Sequence, residues 1–483
     1  MVSSRCHHSP VLTPTSVLAY RLLGGAGTAL LAVAGCGAGA LPVPDALWWT
    51  ALRHADRPAL AAGYAGLTLL TLAWWWAGRD LRRPGGTPDD PAHRRGGAVT
   101  LACWAAPLLL APPMFSRDVY SYLAQGAMVL ADLDVYRVGV AHLGGHLAVE
   151  VPQMWQQTPA PYGPVFLSLA AGVSWLTGGN LALGVLTLRL VAVAGVALLV
   201  INLPALAQHC GVDPAAALWL GVLNPLVPLH LVAGAHNEAV MLGLLVLGLR
   251  LALADRFGAA TVLVTFAALV KVPALLGLLV VGALAARRVG VGRAVVRVAG
   301  LAVASGVTVT WASGIGYGWI DALATPVYRH SWSISTALGR GVQRFAETLD
   351  LDLGTAPMRA GVLVGLLGLI AVAVAAWHQR HRLGPPYAVG LVLLAVALLG
   401  PATRPWYALW GLVLVAAAAP PGRLRQAAAL AATVLAFAVL PSGFGPDLGQ
   451  AVLAAAGVLV GLAIVGVLRL LTRSAPLALA GRR

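Results

Sequence analysis

Long apolar runs broken by short arginine-bearing stretches fill this chain from residue 19 onward. A helix needs about 20 apolar residues to cross a bilayer. By that measure spans fall near 19–41, 59–78 and 97–113, with further runs near 298–316, 357–376, 387–401, 405–419, 427–441 and 449–471. Between the second and third lies "GRDLRRPGGTPDDPAHRRGG", with Arg79, Arg82, Arg83, Arg94 and Arg95. The positive-inside rule assigns that loop, and with it the N-terminus, to the cytoplasm. The basic stretches at 285–297, 377–382 and 420–426 and the terminal "GRR" fall on the same side. Segments 114–160 and 317–356 then become extracytoplasmic loops, long enough to carry function.

The middle of the chain admits two threadings. The run 162–179 either spans or dips in and returns. The run 258–288, broken by Lys271 and Pro273, is either one tilted helix or two helices with Lys271 at the turn. A re-entrant 162–179 combined with a hairpin at Lys271 puts "AHNE" (235–238) and Lys271 outside and Arg250 and Arg256 inside, which the charge rule favours. The expected architecture is an all-α integral membrane bundle of about 14 transmembrane helices over 19–472, with cytoplasmic tails at 1–18 and 473–483.

Composition narrows the class further. Only 10% of the 483 residues are charged and mean hydropathy is +0.82, against roughly 25% charged in soluble domains. No separate soluble catalytic domain fits, so any chemistry sits in loops or between helices. The net charge of +15 flanks apolar runs and reads as a topology signal, with membrane lipids as the anionic partner and no nucleic acid. Cys6, Cys36, Cys103 and Cys210 have no metal-ligand spacing. "VAGC" at 33–36 has the spelling of a lipoprotein cleavage box, but reads better as part of a first span.

Among seventeen acids, Asp118 in "FSRDVYSYLAQG" has the most suggestive setting. Ser116 can cap a short helix that an acid in its first turn suits. Asp118, Ser121, Tyr122 and Gln125 then share one face of an interfacial helix in the first long loop. Two readings stand. The stripe holds a general base with acceptor-binding groups, or it is a wet face with Asp118 paired to Arg117. The following segment, with Tyr136, Trp155, Tyr162 and Gln153, Gln156 and Gln157, suits either sugar stacking and hydrogen bonding or an interfacial belt.

"GAHNEAV" gathers His236, Asn237 and Glu238 at a helix start, as phosphate or hydroxyl ligands or as a simple Asn237 cap. Lys271, the sole lysine in the chain, can pair with Glu238 or with a lipid-linked phosphate, or it snorkels at a helix end. "YRHSWS" and "TRPWYALW" place basic residues beside aromatics, making His330, Trp332, Arg404, Trp406 and Tyr407 candidates for an anionic head group.

Taken in order, "FSRDVYSYLAQG", "PAPYGPV", "AHNEAVMLGLLVLG", "LVKVPALL" and "TRPWYALWG" resemble the C-type polytopic glycosyltransferases with lipid-phosphate sugar donors. More narrowly they resemble the actinobacterial polyprenyl-phosphomannose-dependent α-1,6-mannosyltransferases of the lipomannan core. The likeness covers roughly residues 97–415, and departs from that pattern at Val135 and Glu238. The resemblance implies Asp118 as catalytic base for inverting transfer from polyprenyl-phosphomannose to a lipid-linked mannoside, without metal or other cofactor. Lys271, Arg404 and His330 would bind the departing phosphate. Transfer of another polyprenyl-linked sugar, arabinofuranose or glucose, and lipid transport are the alternatives.

Overall fold

The computed structural model describes residues 14–45, 47–81, 91–321 and 333–480, and every regular element among them is helical. The first half carries α1 (Pro14–Ala38), α2 (Asp56–Leu81), α3 (Pro91–Leu109), α4 (Asp118–Leu130), the single turns α5 (Gly145–Ala148) and α6 (Gln153–Gln156), α7 (Pro164–Leu176), α8 (Leu181–His209), α9 (Pro214–Gly221), α10 (Glu238–Leu253), α11 (Phe257–Val270) and α12 (Gly277–Val289). The second half carries α13 (Val291–Ser313), α14 (Ile334–Glu347), α15 (Ala356–His378), the turn α16 (Arg380–Leu383), α17 (Pro385–Leu399), α18 (Ala408–Ala418), α19 (Arg423–Ala436) and α20 (Leu448–Ala480). Seven helices among the described residues are long and apolar enough to cross a bilayer, and an eighth is added if one sharply bent pair is a single span. The protein is a multi-pass membrane protein. Cys36 lies inside α1, its thiol on the carbonyl of Ala32.

Helix positions follow the apolar runs closely, because each run is bounded by arginine, proline or glycine. The central ambiguity at Lys271 is settled by two ion pairs. Lys271 pairs with Glu238 at the start of α10, while Arg288 at the end of α12 meets Asp255 just past α10, at 2.7 Å. Helix α11 therefore runs back along α10, the chain breaks at the extended Lys271 (φ −155°, ψ 125°), and α12 returns. This is the hairpin version of the run. Helix α7 has 13 residues, about 20 Å at 1.5 Å per residue, short of a bilayer core. It starts where Gly163 lies against the end of α11: a Cβ there would sit 2.2 Å from the Leu269 carbonyl oxygen, so only glycine admits the approach.

Two buried polar knots hold the helices without hydrocarbon. Trp74 and Trp219 stack at 5.0 Å, and each indole N–H donates to the other's backbone carbonyl at 2.9 and 3.0 Å. Arg189 on α8, fully buried, donates to the carbonyls of Leu109, Ala111, Val232 and Ala233 at 2.7, 2.7, 3.1 and 3.0 Å. Those carbonyls belong to the end of α3 and of a π-helical turn, Val227–Ala233. Carbonyls at helix C-terminal ends lack internal N–H donors, and one guanidinium supplies them.

Candidate functional site

The π-helical turn and α10 form one apolar element bent by 112° at residues 234–237. Ala235, at the bend, adopts φ +51°. Such broken helices and π segments recur at functional sites. His236, Asn237 and Glu238 occupy the vertex, all buried. Asn237 makes no side-chain cap, so the simple cap reading fails.

Asp118 faces this vertex. Ser116 Oγ accepts from the Asp118 N–H at 3.0 Å, and α4 begins there. Asp118 Oδ2 lies 3.6 Å from His236 Nε2, with the Asp118 side chain 31% exposed and His236 fully buried. His236 Nδ1–H donates to the His230 carbonyl at 2.7 Å, and the ring stacks on Trp406 at 4.0 Å. The imidazole is thus fixed on three sides with Nε2 turned to the carboxylate.

Arg117 does not pair with Asp118. Its guanidinium bonds Glu150 Oε2 at 3.0 Å, the Glu150 carbonyl and the Leu41 carbonyl. Burial pushes the Glu150 carboxyl up from its ordinary pKa, against the Val43 N–H and Arg117, which pull it down. The stripe expected along α4 is also not a wet face. Tyr122 and Gln125 are buried, as are Val119 and Leu123 on the other sides. Tyr122 meets Tyr162 and Phe166 edge-on at 5.3 and 4.7 Å. Asp118 and Ser121 remain partly exposed.

A cavity of about 330 Å³ opens over Asp118. It is lined by Ser116, Arg117, Asp118, Met154 and Trp155, by Arg340 and Arg344 from α14, and by Arg404 and Trp406. Gly443, Phe444 and Gly445 close it from the loop before α20. Gly443 takes φ +93°, and a Cβ on it would lie 2.9 Å from Ser116 Cα. Asp118 is the sole acid among these lining residues, against four arginines.

The remaining candidates divide. Lys271 is spent on Glu238, with Tyr407, Tyr162 and Trp410 rings 4.5, 5.6 and 5.6 Å from Nζ. It is not among the cavity-lining residues, and of the two partners the sequence offered it the structure shows Glu238. Tyr162 and Tyr407 serve that strut. Tyr136 is buried against Gly318, away from the cavity lining. Gln156 donates its amide to the Ala148 and Val151 carbonyls, bracing its own loop. His330 and Trp332 lie outside the described residues. Arg340 and Arg344 were missed: they stand four apart in "ISTALGRGVQRFAE", and that amphipathic pattern was the available signal.

A pocket lined by one carboxylate, four guanidiniums and aromatic rings in a membrane bundle suits group transfer to or from an anionic substrate. Comparison with known proteins makes it specific. Residues 21–287 match the family model described as alpha-(1->6)-mannopyranosyltransferase, N-terminal domain, and residues 335–470 match the MptB C-terminal domain. An alpha-(1->6)-mannopyranosyltransferase of Mycobacterium tuberculosis is 36% identical over 502 residues, covering 89% of this chain and 83% of the relative. Alpha-(1->6)-mannopyranosyltransferase B of Corynebacterium glutamicum is 33% identical over 479 residues, covering 89% and 78%. No solved structure matches the chain. The chain belongs to the alpha-(1->6)-mannopyranosyltransferase family and is a glycosyltransferase; the transport alternative is set aside.

Proposed function

We propose that the protein transfers mannose from polyprenyl-phosphomannose to a hydroxyl of a lipid-anchored mannoside, with inversion, on the extracytoplasmic face of the cell membrane, extending an α-1,6-mannan backbone. The observation that carries this reading is the pairing of a single carboxylate with arginines across one cavity. A lipid phosphodiester is a good leaving group and needs cations rather than a second acid. Its displacement needs one base on the acceptor side, unlike the two carboxyls of glycoside hydrolysis.

The step balances simply. The acceptor oxygen bonds to the sugar C1 as the C1–O bond to phosphate breaks. The hydroxyl proton goes to Asp118, and polyprenyl phosphate leaves with the electron pair. His236, fixed by the His230 carbonyl and Trp406, orients the carboxylate. Trp406 Nε1 and both side-chain polar atoms of Asn237 are buried without a protein hydrogen bond; sugar hydroxyls would satisfy them. Charge distribution supports the sidedness. Arg288 is at the Asp255 end of α10, Arg250 bonds Asn202 late in α8, and Arg425 bonds the Ala216 carbonyl. All lie at the bundle end away from Asp118, which the positive-inside rule assigns to the cytoplasm.

The test is a membrane assay with polyprenyl-phosphomannose and a short α-mannoside acceptor. Wild type should transfer, and Asp118→Asn should lose at least about a hundredfold in rate while inserting normally. Activity retained in the variant removes Asp118 as base. No transfer by wild type, with transfer from another polyprenyl-linked sugar, changes the donor.

A further inference from the structure

Helix α14 has three distinct faces. Ile334, Leu338, Val342, Phe345 and Leu349 recur at helical spacing in and just beyond it, and all are exposed. Ser335, Thr336, Gly339 and Ala346 are buried. Arg340 and Arg344 turn away from the apolar row and line the Asp118 cavity.

Packing says what covers the apolar row. A Cβ on Gly361 would lie 2.3 Å from the Ser335 carbonyl oxygen, and one on Gly339 2.6 Å from that of Pro357. Helix α14 therefore lies antiparallel along the first turns of α15. Helix α15 is itself long and apolar enough to span, with Leu363, Val364, Leu367, Ile370 and Val374 exposed. The row on α14 is thus continuous with a surface that faces lipid. Alongside the first turns of α15, α14 stands where a spanning helix leaves the acyl region, with its arginines turned from the large apolar side chains.

We propose that α14 is seated in that boundary, its apolar row in the acyl region, and that Arg340 and Arg344 take the phosphate of the lipid-linked donor directly from the membrane side. This rests on the donor class proposed above. The charge logic is differential: transfer turns a singly charged phosphodiester into a monoester that carries more charge. Arginines here stabilise the transition state more than the bound donor.

The experiment uses the full chain in nanodiscs containing anionic lipid. Leu338→Cys and Phe345→Cys, in a background with the four natural cysteines replaced, carry an environment-sensitive fluorophore. Brominated lipid should quench both and aqueous iodide neither. Quenching by iodide alone, or by neither reagent with crosslinking between copies, overturns the seat. Kinetics use two donors, one with a long polyprenyl chain and one with a short water-soluble chain. Arg340→Gln and Arg344→Gln should each lower kcat/KM for both donors about tenfold or more, through kcat as well as donor KM, with acceptor KM little changed and partial rescue in Arg344→Lys. Leu338→Asn combined with Phe345→Asn should raise KM more for the long-chain donor than for the short. Unchanged donor kcat/KM in both arginine variants overturns the phosphate assignment. Inactivity of wild type with either donor would count against the donor class, and the quenching result would still judge the seat.

Discussion

Lys271→Met tests the strut beneath the site. The substitution keeps an apolar stem among Tyr407, Tyr162 and Trp410 but removes the cation. Glu238 is then a fully buried carboxylate without its partner, and its second oxygen already lacks one. Breaking a buried pair from one side costs about 3–5 kcal/mol. Glu238→Gln should cost less, because Lys271 is 12% exposed and keeps its ring contacts. Lys271→Met with Glu238→Gln should recover most of the loss, giving a coupling of about 2–3 kcal/mol. Unfolding by SDS titration in mixed micelles, followed by tryptophan fluorescence, measures it. A coupling below about 0.5 kcal/mol would refute the reasoning.

Other outcomes follow from single features. Gly443→Ala forces φ +93° on an L-residue and sets a Cβ 2.9 Å from Ser116 Cα, at least about 1–2 kcal/mol of strain; turnover should drop and the SDS midpoint should fall by a matching amount. Arg189→Met strands four carbonyls at the ends of α3 and the π-helical turn; the same titration should read a loss of at least about 3 kcal/mol. The Glu150 carboxyl is raised by burial, so its protonated form is favoured by folding. Its contribution is present below the unfolded pKa and is lost as pH rises through the folded one. Glu150→Gln should flatten the decline in stability above about pH 4.5.

The helices were legible because apolar length is a strong signal and arginines mark its ends. Even the hairpin at Lys271 followed from charge parity, and Glu238 was one of the partners the sequence offered for Lys271. The pattern on α4 was legible in part. It marked the bond from the Asp118 N–H to Ser116 at the helix start, but a helical face does not say what lies against it, and α7 buries Tyr122. The reach of Arg117 to Glu150, 33 residues on, and of Arg189 to α3 and the π-helical turn are non-local, so nothing in the local sequence announces them. Arg340 and Arg344 were visible as an amphipathic repeat, but their approach to Asp118 is set by tertiary packing.

That approach bears on how the chemistry is divided. Asp118 and the His236 vertex come from the segment matching the N-terminal family model, while Arg340, Arg344 and Arg404 come from the segment matching the C-terminal one. Asp118 and these arginines line one cavity of about 330 Å³ from separate segments, an arrangement that suits a substrate pair bringing a hydroxyl to the carboxylate and a phosphate to the cations. The backbone contact from the Phe115 N–H to the Pro441 carbonyl at 2.7 Å, next to Gly443, fixes the walls at the point where the segments meet. Closing that junction by even a methyl group at Gly443 therefore alters the spacing between base and cations, which is the quantity on which transfer between two bound substrates depends.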